Sequence, residues 1–295
     1  MKGSALTVGS FDGVHRGHQA VLAELAQQAR TAGLRSVVLT FEPHPLEVVN
    51  PSAAPRLLTL TDEKRELLAA AVDRVELLPF TAALAGLDAE QFTRDVLVGQ
   101  FGVRQLVVGY DHGFGRGRAG DVDLLRRLGS GGGFEVTAVE AVKDGGQPIS
   151  STLIRAAVAH GDLAAAERWL GRAYSTRGVV ERGAGRGRTI GIPTINLGAL
   201  DPRKLLPPDG VYAVRVEWRR VRYGGMMNQG PRPTFGIAER ALEIHLFDFD
   251  EELYGEAVTI EWVRRLRDVQ TFPSRDALVE QLARDARAAQ DSLQP

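Results

Sequence analysis

Close to Gly171–Ser175 the hydrophobic pattern of the chain changes period, and this limits the possible folds more than any other feature. Before that point, short apolar runs alternate with stretches of helical spacing. Ser4–Val8, Arg35–Phe41, Arg74–Leu78, Arg104–Gly109 and Phe134–Val139 are predicted strands. Ala20, Val21, Leu22, Leu25, Ala26 and Ala29 fall at helical spacing with Gly33 as the stop. Thr61 is expected to cap a helix whose first turn holds Asp62 and Glu63. Further helices are predicted over Asp88–Gly99, Leu124–Leu128, Thr152–His160 and Asp162–Leu170. Strands alternating with helices imply a parallel sheet covered by helices, the α/β class. After that point, Ala173–Val180, Gly210–Trp218, Leu242–Phe249 and Ala257–Trp262 are β-rich, punctuated by Gly183, Gly185, Gly187, Gly191, Pro193, Pro207 and Pro208. This predicts an antiparallel β-barrel, closed by one helix from a Ser274 cap through Leu278 and Leu282. Two domains are expected, 1–172 and 173–295, as a length of 295 residues allows.

Composition narrows the function. Lys and Arg total 36 against 37 Asp and Glu, a net charge of −1, so neither nucleic acid nor a membrane is an expected partner. The chain has no cysteine, which excludes disulfides, thiolate zinc sites, iron–sulfur clusters and a Cys nucleophile. The first residues carry no secretory pattern, and no stretch nears the roughly 18 apolar residues of a membrane span. A soluble, cytoplasmic protein is expected; nothing in the sequence specifies an oligomeric state.

The segment GSFDGVHRGH (Gly9–His18) lies between the first strand and the first helix. Ligands of open α/β sheets bind at the carboxyl ends of strands, and Gly9 and Gly13 permit close backbone approach. The next helix offers free N–H groups to phosphate. His15 and His18 are three apart, so both can face one way and stabilise charge that develops on a phosphate. An isolated HxxH pair is otherwise satisfied surface structure or half of a metal site, but no acidic or cysteine set nearby completes one.

In the second half, GAGRGRTIGIPTIN (Gly183–Asn196) is rich in Gly and Arg. It is neither a Walker A loop nor a GxGxxG motif. By itself it is a mobile loop or a phosphate flap. In the adjoining PTIN, Thr194 and Asn196 alternate on an extended chain and point to one face. A hydroxyl and an amide oxygen are hard ligands suited to Mg²⁺. Glu243, with His245 on the same strand face, taken alone is a solvent-facing strand residue. Trp169, Trp218 and Trp262 are expected to be structural.

GSFDGVHRGH resembles the HxGH signature of the nucleotidylyltransferase superfamily in its flavin-specific form. FEPHP (Phe41–Pro45), GYDHGFGRGRAG (Gly109–Gly120) and ISSTLIR (Ile149–Arg155) follow in the family's order. Together they resemble the FMN adenylyltransferase part of the bifunctional riboflavin kinase/FAD synthetase family, which implies a Rossmann-like N-terminal domain. The second half is similar to riboflavin kinase through PTIN, where Ile195 replaces the usual Ala, and through GVYAV, MNQGPRPTFG and EIHLFDFDEELYG. The resemblance implies that riboflavin is phosphorylated to FMN in the C-terminal domain and FMN adenylylated to FAD in the N-terminal one. ATP is co-substrate in both steps, with Mg²⁺. It assigns His15 and His18 to phosphate and transition-state contacts, and Gly9, Phe11, Asp12 and Gly13 to the nucleotide loop. Ser151, Thr152 and Arg155 match a second phosphate-binding segment, with an N-cap as the other role of Ser151. Asp111 and Phe114 would line the nucleotide pocket, although Asp111 also suits a turn. Gly183, Gly187 and Arg188 would form a flap over phosphates, Thr194 and Asn196 would hold the metal, and Glu243 would be the catalytic carboxylate. Asn228 and Arg232 would support it. His44 stands between a site contact and a turn residue, and His112 and His245 receive no role.

Overall fold

The computed structural model describes residues 3–183, 187, 191–231 and 240–294. The chain divides into two compact units, Met1–Ser151 and Thr152–Pro295. In the first, β1 (Ser4–Val8), β2 (Arg35–Glu42), β3 (Arg74–Pro79), β4 (Val103–Gly109) and β5 (Glu135–Val139) pair in parallel in the order β3-β2-β1-β4-β5. Side chains alternate between the faces, as the strand period requires. Leu6, Val8, Val37, Leu39, Leu106 and Val108 enter one core cluster; Ala5, Val38 and Val107 enter the other. The connecting helices are α1 (Arg16–Ala32), α2 (Pro45–Val49), α3 (Thr61–Ala69), α4 (Ala82–Gly86), α5 (Ala89–Gln91, running on into a π-helical stretch Phe92–Gln100) and α6 (Val122–Gly132). α1 buries Val21, Leu22, Leu25 and Ala29 and stops at Gly33, whose φ of 63° suits glycine. Strand order reverses at β1, which pairs with β2 on one side and β4 on the other. A crevice therefore opens at the carboxyl ends of β1 and β4. A short hairpin of β6 (Lys143–Asp144) and β7 (Gln147–Pro148) precedes the junction with the second unit.

The second unit carries most of α7 (Ser151–His160), then α8 (Leu163–Leu170) and the strands β8 (Tyr174–Glu181), β9 (Ile195–Leu197), β10 (Gly210–Trp218), β11 (Val221–Pro231), β12 (Arg240–Leu246) and β13 (Ala257–Arg267). These strands close into an antiparallel barrel in the order β10-β11-β12-β9-β8-β13. Tyr212, Val214, Met227, Ile244, Ile260 and Trp262, each at most 1% exposed, fill its interior. The buried Gln229 is satisfied there: its Nε2 donates to the Pro207 and Pro208 carbonyls at 2.6 and 3.1 Å, and its Oε1 accepts from Trp262 Nε1 at 3.2 Å. The last helix, α9 (Arg275–Leu293), is capped by Ser274 as expected and packs on the outer barrel face over Ala213 and Met226.

The α/β sheet, the barrel and the terminal helix match the sequence reading. The division between units does not coincide with the change of pattern near Gly171. Helix α8 packs on β8 and β13, so it is structurally part of the barrel unit although its pattern is helical. Thr61 is not the cap of α3. That position is Leu60, whose N–H donates to Glu63 at 2.9 Å, while the Thr61 hydroxyl donates to Glu42. β11 lacks a β-forming sequence because Gly224 and Gly225 interrupt it. A Cβ on Gly225 would lie 2.6 Å from the His245 carbonyl, so the approach of β12 requires that glycine, and one on Gly224 would crowd the Leu293 side chain of α9 at 3.0 Å.

Candidate active sites

The GSFDG loop leaves β1 at the crevice in a constrained conformation. Phe11 and Val14 have φ of 49° and 40°, costly for residues with a Cβ, beside Gly13 at 83°. The surrounding structure holds them there. The buried Asp12 carboxylate accepts from the Leu58 and Thr59 N–H groups at 3.0 and 2.9 Å and from the Thr59 hydroxyl at 3.1 Å. Gly13 N–H donates to the same hydroxyl at 2.9 Å. Asp12, expected among nucleotide contacts, thus anchors the loop to the segment before α3. A Cβ on Gly9 would crowd the Phe11 ring at 3.2 Å.

His15 caps α1, its Nδ1 accepting from the His18 N–H at 3.3 Å. The two imidazoles stack with centroids 3.7 Å apart, and Phe11 meets His18 edge-on at 5.0 Å. Gly17 lies close against them: a Cβ there would crowd the His15 ring at 3.0 Å. Burial, with His15 and Lys64 nearby, holds His18 well below the usual imidazole pKa, so the ring is neutral near pH 7. Its Nδ1 is buried and has no hydrogen-bond partner among the described residues. A neutral donor or acceptor left open beside a helix N-terminus suits a phosphate.

The loop after β4 reaches the same edge of the sheet. Asp111 is exposed at its turn. Phe114, expected to line a pocket, is packed in the core at 7% exposure, against Phe92 and the His112 ring. The loop glycines serve that packing, since a Cβ on Gly120 would lie 2.5 Å from the Phe114 ring. Burial, with Arg118 nearby, pushes His112 down to about 4, and its Nε2 is also unpartnered among the described residues. The Ser151 hydroxyl does not cap α7, which starts at Ser151 itself. It donates to the Asp12 carbonyl at 2.8 Å and so ties the ISST segment to the histidine loop. Thr152 and Arg155 lie on α7 in the second unit. His44 is the N-cap of α2, accepting from Leu46 N–H at 3.3 Å.

In the barrel, register brings together residues of the second candidate site. Asn196 of β9 pairs with Glu243 of β12, and Glu243 pairs with Asn228 of β11. Cross-strand partners share a face. The adjacent Met227 and Ile244 are fully buried inside, so Asn196, Glu243 and Asn228 form a row on the outer surface. Glu243 and Asn228 are exposed, and Asn196 is buried. A Cβ on Gly183 would lie 2.1 Å from Asn196 Nδ2, and one on Gly187 would lie 3.4 Å from Thr194 Oγ1. Gly187 also accepts from Ile192 N–H at 2.9 Å. His245 fixes the same segment, its Nδ1 2.8 Å from the Pro193 carbonyl. Arg188 and Arg232 lie outside the described residues.

Residues 1–153 match the family described as FAD synthetase, and residues 170–293 the family described as riboflavin kinase. A bifunctional riboflavin kinase/FMN adenylyltransferase of Escherichia coli (strain K12) is 41% identical, covering 98% of this chain and 93% of that protein. The chain belongs to this bifunctional family. A protein of the same description from Pseudomonas fluorescens is 40% identical over 100% of this chain and 94% of its own. A crystal structure described as a macrolide-efflux protein from Streptococcus pneumoniae, 35% identical, matches with a TM-score of 0.89 over 99% of this chain and 95% of that one. Among the described residues no helix is long and apolar enough to cross a membrane.

The FAD synthetase part thus precedes the riboflavin kinase part, as the motifs indicated. Two polar residues beside the FAD synthetase loop escaped the sequence reading. Thr59 has no motif to mark it. Lys64 does carry a signal: it stands four residues before the buried Leu68, on the apolar stripe of α3, where a lysine is unusual. In the riboflavin kinase part, His245 is placed by Pro193, which only the register brings near.

Proposed function

We infer that the two units carry out successive ATP-dependent steps, riboflavin to FMN in the barrel and FMN to FAD at the parallel sheet. What supports this is the presence of two candidate sites in family order. One is a stacked histidine pair, His15 buried and His18 half-buried, at the switch point of the sheet. The other is a carboxylate set between two asparagines on the barrel.

In adenylyl transfer, an FMN phosphate oxygen attacks the α-phosphorus of ATP and the bond to the departing pyrophosphate breaks. No protein nucleophile is required; positioning and charge stabilisation suffice. His15 accepts the His18 N–H at Nδ1, which leaves donation to a phosphate to its Nε2. His18, kept neutral, offers a second hydrogen bond to the same phosphates. For Thr152 and Arg155 the support is the resemblance of the ISSTLIR segment.

In the kinase step the riboflavin 5′-hydroxyl attacks the γ-phosphorus and ADP leaves. Glu243 accepts the hydroxyl proton. Mg²⁺ fits the neighbouring residues: Thr194 and Asn196 carry hard oxygen atoms, and a Cβ at Gly183 or Gly187 beside them would clash. Bound there, it would supply positive charge to the ATP phosphates; ligands from the phosphates and water would complete its shell. Both steps consume ATP, which supports a cytoplasmic place of action.

A product assay tests the reading. Purified chain given riboflavin, ATP and Mg²⁺ is followed by chromatography. FMN should rise first and FAD follow. If neither FMN from riboflavin nor FAD from supplied FMN appeared, the assignment would fail.

A further inference from the structure

The first unit buries a lysine that adenylyl transfer, as described above, does not use. Lys64 of α3 is 6% exposed. Its Nζ donates to the Ser10 carbonyl at 3.2 Å and to the Phe41 carbonyl at 3.1 Å. Ser10 immediately precedes the left-handed Phe11, and its carbonyl also accepts from Thr40 Oγ1 at 3.1 Å. Two donors therefore hold the peptide that leads into the strained residue. Phe11 in turn lies edge-on to His18, which stacks on His15. The contacts run without a break from Lys64 through Ser10 and Phe11 to His18.

Burial alone does not explain an ammonium here. A methionine would fill similar space without the cost of desolvating a charge. The charged groups facing Lys64 are Asp12 on the histidine loop, Glu42 at the end of β2 and Glu47 on α2. They favour its charged form, yet burial outweighs them and lowers its pKa. Asp12 and Glu42 are also engaged elsewhere, with Leu58 and Thr59 and with Thr61 respectively. The charge of Lys64 is felt at His18, where it and His15 add to burial in favouring the neutral ring.

We propose that Lys64 is a positioning residue of the adenylyl-transfer site: its ammonium fixes the Ser10–Phe11 peptide and, through Phe11, sets the His18 ring toward the transferring phosphate. This rests on reading the first unit as that site.

The test compares full-length Lys64→Met, Lys64→Gln and Lys64→Arg with the parent chain. FAD formation from supplied FMN and ATP is measured, together with the His18 ring titration by NMR. In Lys64→Met and Lys64→Gln, kcat for FAD formation should fall about tenfold or more while KM for FMN moves little, as displacement of a positioned group requires. Lys64→Arg should recover most of the rate. The His18 midpoint should rise in Met and Gln, which remove a neighbouring cation, and stay low in Arg. Formation of FMN from riboflavin should not change.

An unchanged kcat and an unchanged His18 midpoint in a folded Met or Gln variant would overturn the proposal. So would a loss of FAD formation equal in Arg, Gln and Met, which would indicate a purely structural lysine. Should Lys64→Met not fold, Lys64→Gln decides by the same readouts. A parent chain that makes no FAD from FMN would sink the adenylyl-transfer reading itself. The His18 titration would still decide the place of Lys64.

Discussion

His112 is a ring stacked on a core phenylalanine, and this sets its acid–base behaviour. Its ordinary pKa of 6.5 falls to about 4 because burial disfavours the imidazolium, and Arg118 adds to the effect. Between those values the unfolded ring binds a proton that the folded ring does not. The corresponding stability is therefore whole above pH 6.5 and is lost as the pH falls toward 4, by at most about 1.4 kcal/mol per pH unit. His112→Phe keeps an aromatic ring without the titration. Its melting temperature should fall less steeply than that of the parent chain between pH 6.5 and 5. His18 contributes with the same sign, so some slope should remain. An identical slope in the variant would show that His112 is not the titrating group. At this scale a motif can name neighbours such as His15 and His18, whose rings stack. It does not name every hydrogen bond a residue makes. His44 is a helix cap through the Leu46 N–H two residues on, whereas Asp12 is a loop anchor because its partners Leu58 and Thr59 lie in a distant segment with no motif of its own.

α9 shows what holds an element to a fold. Its apolar face, including Leu282, Ala286 and Ala289, covers Ala213 and Met226. On the same helix Asp285, 4% exposed, pairs with Arg267 of β13 through bonds of 2.9 Å (Nε–Oδ1) and 2.6 Å (Nη2–Oδ2). Gln281 donates to the same carboxylate at 2.8 Å. Asp285→Ala would leave a largely buried guanidinium unpaired, and such losses cost about 3–5 kcal/mol. Thermal unfolding should place the second unit's transition well below that of the parent chain. A shift matching an exposed ion pair, below about 1 kcal/mol, would contradict this role. The helix itself was legible, since Ser274 and the apolar spacing announce it. Its partner strand was not. β11 carries Gly224 and Gly225, which depress strand propensity but let β12 and α9 approach.

For the whole molecule, two sites on two units make a prediction about separability. Asn196→Ala should stop FMN formation from riboflavin while supplied FMN still becomes FAD. His18→Ala should slow FAD formation about 10²–10³-fold, the usual loss for a group that stabilises developing charge, and leave FMN as end product. Mixed together with riboflavin and ATP, the two variants should make FAD, because FMN released by one chain can be used by the other. Failure of the mixture, with each variant retaining its own half-reaction, would mean that FMN passes between sites only within one chain. The fold class of each half, their order and the family motifs could be read from the amino-acid sequence alone. These are properties of short segments, where hydrophobic period and residue type suffice. The tertiary structure alone decided that Glu243 stands between Asn196 and Asn228, that Lys64 grips the histidine loop, and that α8 belongs with the barrel. Each of these depends on strand register or side-chain contact between segments far apart in the chain, and no local pattern encodes such a pairing.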